Sequence, residues 1–278
     1  FLEKVISNNT SLPLPQAIAN DIQGLLNALS KDVDINTVLF YGASGTGKTE
    51  ATKQIARILG YRLYAVDFNQ IIDSKLGETA KNIAKVFQEI HDIGDGAIVL
   101  FDEIDAIALD RINQNDVREM GRATSALLKE FDKLNTRSAI IATTNLYDKL
   151  DPALARRFDV QIDFNRYTHD DLVDIGESIA NNLTKNNKTI KNDSRTLKKV
   201  LQSCPDLPWP GTLKNLIKTS VAFSDPLSPN DYLRKLYQRL HGYEPDSLEL
   251  LKSQGFTLRE MEVLTGISRS TIARTLKE

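Results

Sequence analysis

One glycine-rich stretch constrains the fold of this chain more than any other feature. It runs Gly42-Ala43-Ser44-Gly45-Thr46-Gly47-Lys48-Thr49 and satisfies the pattern G-x-x-x-x-G-K-[ST]. An apolar, β-rich run at residues 37–41 precedes it, and a helical stretch at residues 50–59 follows it. This is the setting of a phosphate-binding loop, because the first N–H groups of the following helix are free to meet phosphate oxygens. We therefore expect Lys48 to reach the β- and γ-phosphates of a nucleotide and Thr49 to ligate its Mg²⁺.

Composition narrows the class of protein. The 278 residues exceed the usual size of a single hydrophobic core, so two or three cooperating units are expected. Lys and Arg number 35 against 37 Asp and Glu, which gives a formal charge of -2, so the chain lacks the basic excess of a protein that coats nucleic acid. Cys204 is the single cysteine, which excludes an intrachain disulfide and disfavours a cysteine-based zinc site. With no apolar run of roughly 20 residues and no signal-peptide pattern, the sequence predicts a cytoplasmic protein that does not enter a membrane.

Segments typical of strands and helices alternate after the glycine-rich stretch. Aromatic, β-branched or continuously apolar runs predict strands at residues 37–41, 61–67, 97–101, 138–143 and 160–164. The segments between them predict crossover helices, because apolar residues recur there at helical spacing. Residues 1–35 are predicted to form a helical lead-in. Together the pattern predicts an α/β fold with a doubly wound parallel sheet, whose sites lie beyond the carboxyl ends of the strands.

Two carboxylates follow the most apolar of these strands. Asp102 and Glu103 stand directly after residues 97–101, at the same edge of the sheet as the glycine-rich stretch. This placement suits two different roles. Asp102 would hold Mg²⁺ through water, and Glu103 would deprotonate the water that attacks the γ-phosphate. The alternative is a helix N-cap with an acidic first turn. Asp105 completes the pattern D-E-x-D and favours the catalytic interpretation.

Further polar residues stand beyond the next strand. Asn145 follows the run 138–143 closely, and a polar side chain at that strand tip can touch both the γ-phosphate and the attacking water. Arg156 and Arg157 end a short helix that begins at an Asp-Pro pair. Two adjacent arginines cannot both face a core. They therefore form either a solvated helix end, which the helix dipole favours, or part of a site.

Together these motifs resemble the AAA+ ATPase family, most closely its narrower AAA clade, over residues 38–164. The resemblance implies a P-loop NTPase fold with residues 42–49 as Walker A, residues 101–105 as Walker B, Asn145 as the sensor-1 residue, and Arg156 and Arg157 as arginine fingers. It also implies hydrolysis of ATP with Mg²⁺ in a homo-oligomeric ring, usually a hexamer, in which the arginines of one subunit reach the γ-phosphate held by its neighbour. Since arginine fingers accelerate hydrolysis by roughly 10³- to 10⁵-fold, an isolated subunit is expected to hydrolyse ATP slowly.

Two stretches depart from the family pattern. Residues 73–79 resemble the central-pore loop of the clade, but Lys75-Leu76-Gly77 stands where an aromatic residue is usual. The loop could therefore grip a polypeptide, tolerate nucleic acid, or only cap the next helix. Residues 166–224 resemble the helical lid, and Lys214 occupies the place of the sensor-2 arginine. As a lysine it lacks the guanidinium fork, so it either binds the nucleotide or lies on an ordinary helix surface.

The composition changes at the Pro- and Ser-rich residues 224–229, which are the best predicted domain boundary. A bridging helix is expected within residues 225–245, and three short helices within residues 246–278 form a predicted helix-turn-helix unit. The last helix carries polar and basic residues that could face DNA, namely Arg269, Ser270, Arg274 and Lys277. The same unit can instead dock a protein, and Glu260 and Glu262 on the preceding helix favour that alternative.

The predicted segments are a helical lead-in at 1–35, an AAA+ core at 36–165, a lid at 166–224, a linker with a bridging helix at 225–245, and the helix-turn-helix at 246–278. They predict an ATPase ring that remodels a macromolecule recruited in part by the helix-turn-helix. A protein remodeller or unfoldase, serving a separate protease or a DNA-bound complex, is favoured. The alternatives are a DNA-associated motor or loader resembling transposition and replication ATPases, and a non-hydrolysing ATP sensor in which Glu103 is silent.

Overall fold

The computed structural model describes residues 1–5, 13–31, 35–71, 78–108, 117–134, 138–185, 190 and 193–277. They fall into two units, of which the first holds mainly residues 16–166 and the second mainly residues 167–278. Each unit has an apolar core of its own. No helix among these residues combines the length and the apolarity that crossing a membrane requires.

A six-stranded sheet forms the centre of the first unit. Its strands are β1 (Leu2–Lys4), β2 (Thr37–Tyr41), β3 (Arg62–Val66), β4 (Ala97–Phe101), β5 (Ala139–Thr144) and β6 (Val160–Asp163). They are ordered β1-β3-β4-β5-β2-β6, with β1 antiparallel to β3 and all other neighbours parallel. β4 and β5 are buried along their whole length, as continuous apolar runs are when both faces of a parallel sheet are covered. The predicted α/β fold with a largely parallel sheet is confirmed.

Helices connect the parallel strands. In the first unit they are α1 (Gln16–Ser30), α2 (Lys48–Leu59), α3 (Phe68–Ile71), α4 (Glu78–Ile93), α5 (Asp105–Ala108), α6 (Val117–Asp132) and α7 (Pro152–Ala155), with a 3-10 helix at Tyr147–Lys149. The strand order places β5 between β4 and β2. Because these three strands run parallel, the loops that follow them meet at one edge of the sheet.

The helical lead-in predicted over residues 1–35 is wrong at its start. Residues Leu2–Lys4 form the edge strand β1, in which Leu2 lies opposite Val66 of β3. The Leu2 N–H also donates to the carboxylate of Glu89 on α4. Three residues are too few to show a period of their own, and this strand forms by pairing with a strand 60 to 64 positions away in the chain. The remainder of the lead-in contains α1, as predicted.

The second unit is helical in its described part. Its helices are α8 (His169–Thr184), α9 (Ser194–Gln202), α10 (Pro210–Ala222), α11 (Asp231–His241), α12 (Leu248–Ser253), α13 (Leu258–Thr265) and α14 (Arg269–Thr275). Their buried side chains form one cluster, which extends from Leu172 on α8 to Ile272 on α14. The predicted bridging helix corresponds to α11, and four of its side chains, Tyr232, Leu233, Leu236 and Tyr237, are 0% exposed. The lid helices and the C-terminal helices therefore share one core.

Capping residues set the limits of the last two helices. Thr257 and Glu260 form a reciprocal capping box at the start of α13, and Gly266 ends it with φ 74°. The Ser268 hydroxyl accepts from the Thr271 N–H at the start of α14. The turn between the two helices is therefore short.

Candidate active site

The glycine-rich stretch is the loop that joins β2 to α2. Its residue Gly47 precedes the first turn of α2 with φ 97° and offers no side-chain cap to the helical N–H groups. Uncapped N–H groups at a helix start suit a phosphate group. Gly42 has φ 142°, and a Cβ there would lie 3.0 Å from Asn165 Oδ1 and 3.2 Å from the carbonyl carbon of Phe164. A side chain at Gly42 would therefore push the loop away from the end of β6.

Lys48 is nearly buried within this loop. Its Nζ donates to the carbonyl oxygens of Gly42 and Ala43, at 2.7 and 2.9 Å, and to Asn145 Oδ1 at 2.7 Å. The residue is 6% exposed, and burial lowers the pKa of Lys48 to about 8, although nearby carboxylates oppose the shift. The ammonium is therefore charged at neutral pH, and these three acceptors together with Thr46 Oγ1, at 3.5 Å, fix its position.

Asp102 lies directly beside Thr49. Its Oδ1 accepts from Thr49 Oγ1 at 2.8 Å and from Thr143 Oγ1, on β5, at 2.7 Å. A carboxylate and a hydroxyl are the hard oxygen ligands that Mg²⁺ takes beside phosphate and water, so this pair fits the ion. Among the described residues there is no cluster of three or more His, Cys, Asp or Glu side chains that could hold a metal ion. Any Mg²⁺ held here would thus draw most of its ligands from nucleotide and water.

Glu103 stands beside Asn145. Its backbone has φ 55°, the one positive value among the described residues other than glycine, and its N–H donates to Thr143 Oγ1 at 2.9 Å. Asn145 Nδ2 donates to Glu103 Oε1 at 3.2 Å, while Asn145 Oδ1 accepts from Lys48. One amide therefore links the loop lysine to the predicted general base. The fold brings the predicted residues of the loop, of the acidic pair and of the β5 tip together at one edge of the sheet.

The two arginines that follow α7 have different surroundings. Arg157 pairs with Asp132 at the end of α6, with Nε and Nη2 at 3.0 and 3.1 Å from the two carboxylate oxygens, and it also donates to the Ala153 carbonyl. The hydrogen bonds from Arg157 lower the pKa of Asp132. The Arg156 side chain is exposed and has neither a hydrogen bond nor an ion pair within the described part of the chain. The sequence predicts the same role for both residues, whereas their contacts differ.

Two other predicted positions have no described contact with this cluster, one in the second unit and one mostly outside the described residues. Lys214 is an exposed residue of α10 in the second unit, and its role as a nucleotide contact stays a prediction. The predicted pore loop spans residues 73–79, and residues 73–77 of it, including Lys75, lie outside the described part of the chain.

The predicted DNA-facing residues lie on or next to α14. Arg269 is already paired, with its Nε 2.9 Å from Glu262 Oε2 on α13. Ser270 shares a hydrogen bond of 3.0 Å with the hydroxyl of the helix N-cap. Arg274 and Lys277 are exposed and have no acidic partner within the residues that the structure describes. Of the three cations predicted to face DNA, these two are therefore available to a ligand.

Sequence reasoning overlooked three residues that shape this region. Thr143 contacts the acidic pair, Asn165 accepts from the Ala43 N–H at 2.8 Å, and Asp132 holds Arg157. Their partners are 41, 122 and 25 positions away in the chain, so no local pattern marks them. A threonine within a strand and a polar residue at the end of an element are ordinary in those places.

Comparison with known proteins agrees with this geometry. Residues 38–166 match the model of the ATPase family associated with various cellular activities (AAA). This segment is an AAA ATPase domain. The match spans β2 to β6 and so includes the glycine-rich loop, the acidic pair, Asn145 and both arginines. The enzyme class predicted from the sequence, an ATPase, is confirmed for the AAA domain.

Several relatives share the AAA domain. An uncharacterised AAA family ATPase of Sinorhizobium fredii, y4kL, is 38% identical over 129 residues, which cover 46% of this chain and 38% of that protein. The peroxisomal ATPase PEX6 of Neurospora crassa is 36% identical over 157 residues, which cover 53% of this chain and 11% of PEX6. PEX6 of Yarrowia lipolytica is 38% identical over 129 residues, or 44% of this chain and 12% of that protein. The similarity thus spans well under two thirds of the length of each relative.

Proposed function

We propose that this chain hydrolyses Mg·ATP as one subunit of a ring and couples hydrolysis to the remodelling of a macromolecule. The observation that carries the proposal is the hydrogen-bonded set Lys48, Thr49, Asp102, Glu103 and Asn145 at the carboxyl ends of β2, β4 and β5. It places a cation, a hydroxyl, two carboxylates and an amide beside the uncapped start of α2. Phosphoryl transfer from a nucleotide to water uses this set of groups.

The residues divide the work between charge stabilisation and proton transfer. Lys48 and the first N–H groups of α2 bind the β- and γ-phosphates and stabilise charge that grows on them in the transition state. Glu103 accepts the proton of the attacking water as the new O–P bond forms and the bond to the leaving ADP oxygen breaks. Asn145 holds the Glu103 carboxylate and offers its amide to the water, so the base and the phosphate site keep a fixed separation.

Thr49 and Asp102 are the residues that would hold Mg²⁺. When bound, the ion shields the charge of the β- and γ-phosphates. The Thr49 hydroxyl donates its hydrogen bond to Asp102 and so keeps its oxygen lone pairs free for a cation.

The ring in this proposal rests on Arg156. An exposed guanidinium with no partner in the described chain is suited to reach the γ-phosphate in a neighbouring subunit, and a hexamer is the assembly that we propose. Arg157 could join it only after leaving Asp132, because both carboxylate oxygens now bind its guanidinium. We therefore propose that Arg156, more than Arg157, contacts the γ-phosphate bound by the neighbouring subunit.

Lys48→Ala tests the nucleotide site. The variant should lose ATP affinity by about tenfold or more, because hydrogen bonds from a charged group contribute about 1.5–3 kcal/mol, and phosphate release should cease. Equilibrium binding of ATP and ADP and a phosphate-release assay measure both effects. Lys53→Ala is the matched control, since Lys53 lies on the same helix but pairs with Glu50 at the surface. Parent-like ATP binding by Lys48→Ala would contradict the site, whereas ATP binding without phosphate release in the parent would favour an ATP sensor.

The proposed target is a protein, because the chain as a whole has no excess of basic residues for a nucleic acid track. That protein would then either be passed to a separate protease or be part of a DNA-bound complex. DNA itself is the second candidate, and the exposed cations Arg274 and Lys277 at α14 favour it. With so few cations, DNA affinity of one chain would be weak, and a ring would raise it by presenting several copies together.

A double variant decides between these targets. Arg274→Ala/Lys277→Ala should weaken binding of the full chain to duplex DNA and lower the salt slope of binding by about two, because two phosphate contacts are lost. Lys218→Ala/Arg239→Ala removes two exposed cations elsewhere in the second unit and is the control. Anisotropy of labelled DNA gives affinity, and ATPase rates are compared with duplex DNA and with unfolded protein. Stimulation by unfolded protein alone, with no DNA binding, would exclude the DNA role.

A further inference from the structure

Thr143 is buried between the two carboxylate residues of the site. It is the penultimate residue of β5 and is 1% exposed. Its hydroxyl donates to Asp102 Oδ1 at 2.7 Å and accepts from the Glu103 N–H at 2.9 Å. Its carbonyl oxygen accepts from the Ile104 N–H at 2.9 Å. One residue thus contacts three consecutive residues beyond β4.

The direction of these hydrogen bonds is fixed by the donors that are present. A backbone N–H can only donate, so the Thr143 oxygen must accept from Glu103, and its single proton is left for Asp102. Asp102 Oδ1 also accepts from Thr49, so two hydroxyls on different elements, α2 and β5, hold the same oxygen. The carboxylate therefore cannot rotate without breaking one of these hydrogen bonds.

Thr143 also holds the backbone of Glu103. A φ of 55° lies in the left-handed region, which residues other than glycine seldom adopt. In this conformation the Glu103 N–H meets the Thr143 hydroxyl, and the Glu103 side chain leaves the line of β4 to meet Asn145. The hydroxyl is thus the partner that makes this backbone conformation favourable.

We propose that Thr143 is a positioning residue for ATP hydrolysis, which fixes the Asp102 carboxylate and the Glu103 backbone without touching the substrate. The inference rests on the proposed hydrolysis of ATP by this chain. This role affects turnover and not phosphate binding, because Lys48 and the start of α2, which bind the phosphates, make no hydrogen bond to Thr143. Loss of the hydroxyl should therefore slow turnover and weaken the response to Mg²⁺, while binding of the phosphates is kept.

Isosteric replacement provides the test. Thr143→Val keeps the shape and removes the hydroxyl, and it should lower kcat about 10- to 100-fold, the usual cost of losing a partner that orients a metal-binding carboxylate. The KM for ATP and the affinity for Mg²⁺-free ADP should stay within about twofold, and half-maximal activity should need more Mg²⁺. Thr143→Ser keeps the hydroxyl and should restore kcat to within about threefold of the parent.

The control lies directly before the first residue of β5. Ser138 is buried, and its hydroxyl donates to the Gly94 carbonyl at 2.6 Å, so Ser138→Ala removes a buried hydroxyl far from the carboxylates and should leave kcat unchanged. Parent-like kcat in Thr143→Val, or equal losses in the Val and Ser variants, would overturn the inference. If Thr143→Val does not fold, Thr143→Ala removes the same hydroxyl and takes its place. A parent chain that does not hydrolyse ATP would instead contradict the proposed function.

Discussion

The Glu103→Gln variant should bind ATP with parent-like affinity and hydrolyse it about 10²- to 10⁴-fold more slowly, the range over which a positioned general base contributes. Glutamine keeps an oxygen that can accept from Asn145, so the neighbouring hydrogen bonds survive while the proton acceptor is lost. Single-turnover hydrolysis and equilibrium ATP binding measure the two properties separately.

The control for this variant is Glu130→Gln on α6, which removes a carboxylate paired with Lys133 and should hydrolyse ATP like the parent. Normal turnover in Glu103→Gln would show that another group accepts the proton. Loss of ATP binding in the same variant would place Glu103 among the phosphate contacts, and the division of labour proposed for the site would then be wrong.

The Arg156→Ala variant should lose ATP hydrolysis by roughly 10³- to 10⁵-fold, the measured range for arginine fingers, while keeping ATP affinity near that of the parent. The reason is that Arg156 lies outside the hydrogen-bonded cluster of its own chain, so its effect must come from a neighbouring subunit. Mixing the variant with Lys48→Ala provides the measurement. Each variant supplies what the other lacks, so the mixture should regain phosphate release that neither variant shows alone.

Variants of Arg157 and Asp132 test whether hydrolysis depends on an arginine that reaches a neighbouring subunit or on the ion pair within the chain. Arg157→Ala should reduce hydrolysis less than Arg156→Ala does, and Asp132→Asn, which frees the Arg157 guanidinium, should leave hydrolysis close to that of the parent. Full activity of Arg156→Ala by itself, or an unchanged rate on mixing, would remove Arg156 from the site. A larger loss in Arg157→Ala than in Arg156→Ala would exchange their roles.

The parts of this molecule that local sequence patterns determine could be predicted. The loop at residues 42–49 and the residues that follow β4 and β5 depend on strand ends, glycine and short spacing, all of which are visible within about ten residues. The strand β1 could not be predicted in this way, because it exists through pairing with β3. Thr143 was missed for a similar reason, since the partners of its hydroxyl follow another strand, about 40 positions earlier in the chain.

Ion pairs were a second reason why the contacts of some residues differ from those predicted from the sequence. Arg156 and Arg157 are adjacent and chemically identical, and only the position of Asp132 on α6 distinguishes them. Arg269 was predicted to face DNA, yet Glu262 one helix earlier binds it. Such pairs depend on the angle between helices, which the spacing of residues along one helix does not give.

The burial of α11 bears on how force would pass through the second unit. Because side chains of α8 and α14 belong to one cluster that includes Tyr232 and Tyr237, separating the C-terminal helices from the earlier ones would expose apolar surface of both to water. A partner that pulls on α14 would therefore act on a core that also contains side chains of α8, the helix that begins at His169. Force applied at the C-terminal helix would be transmitted through this shared core to the first helix of the second unit.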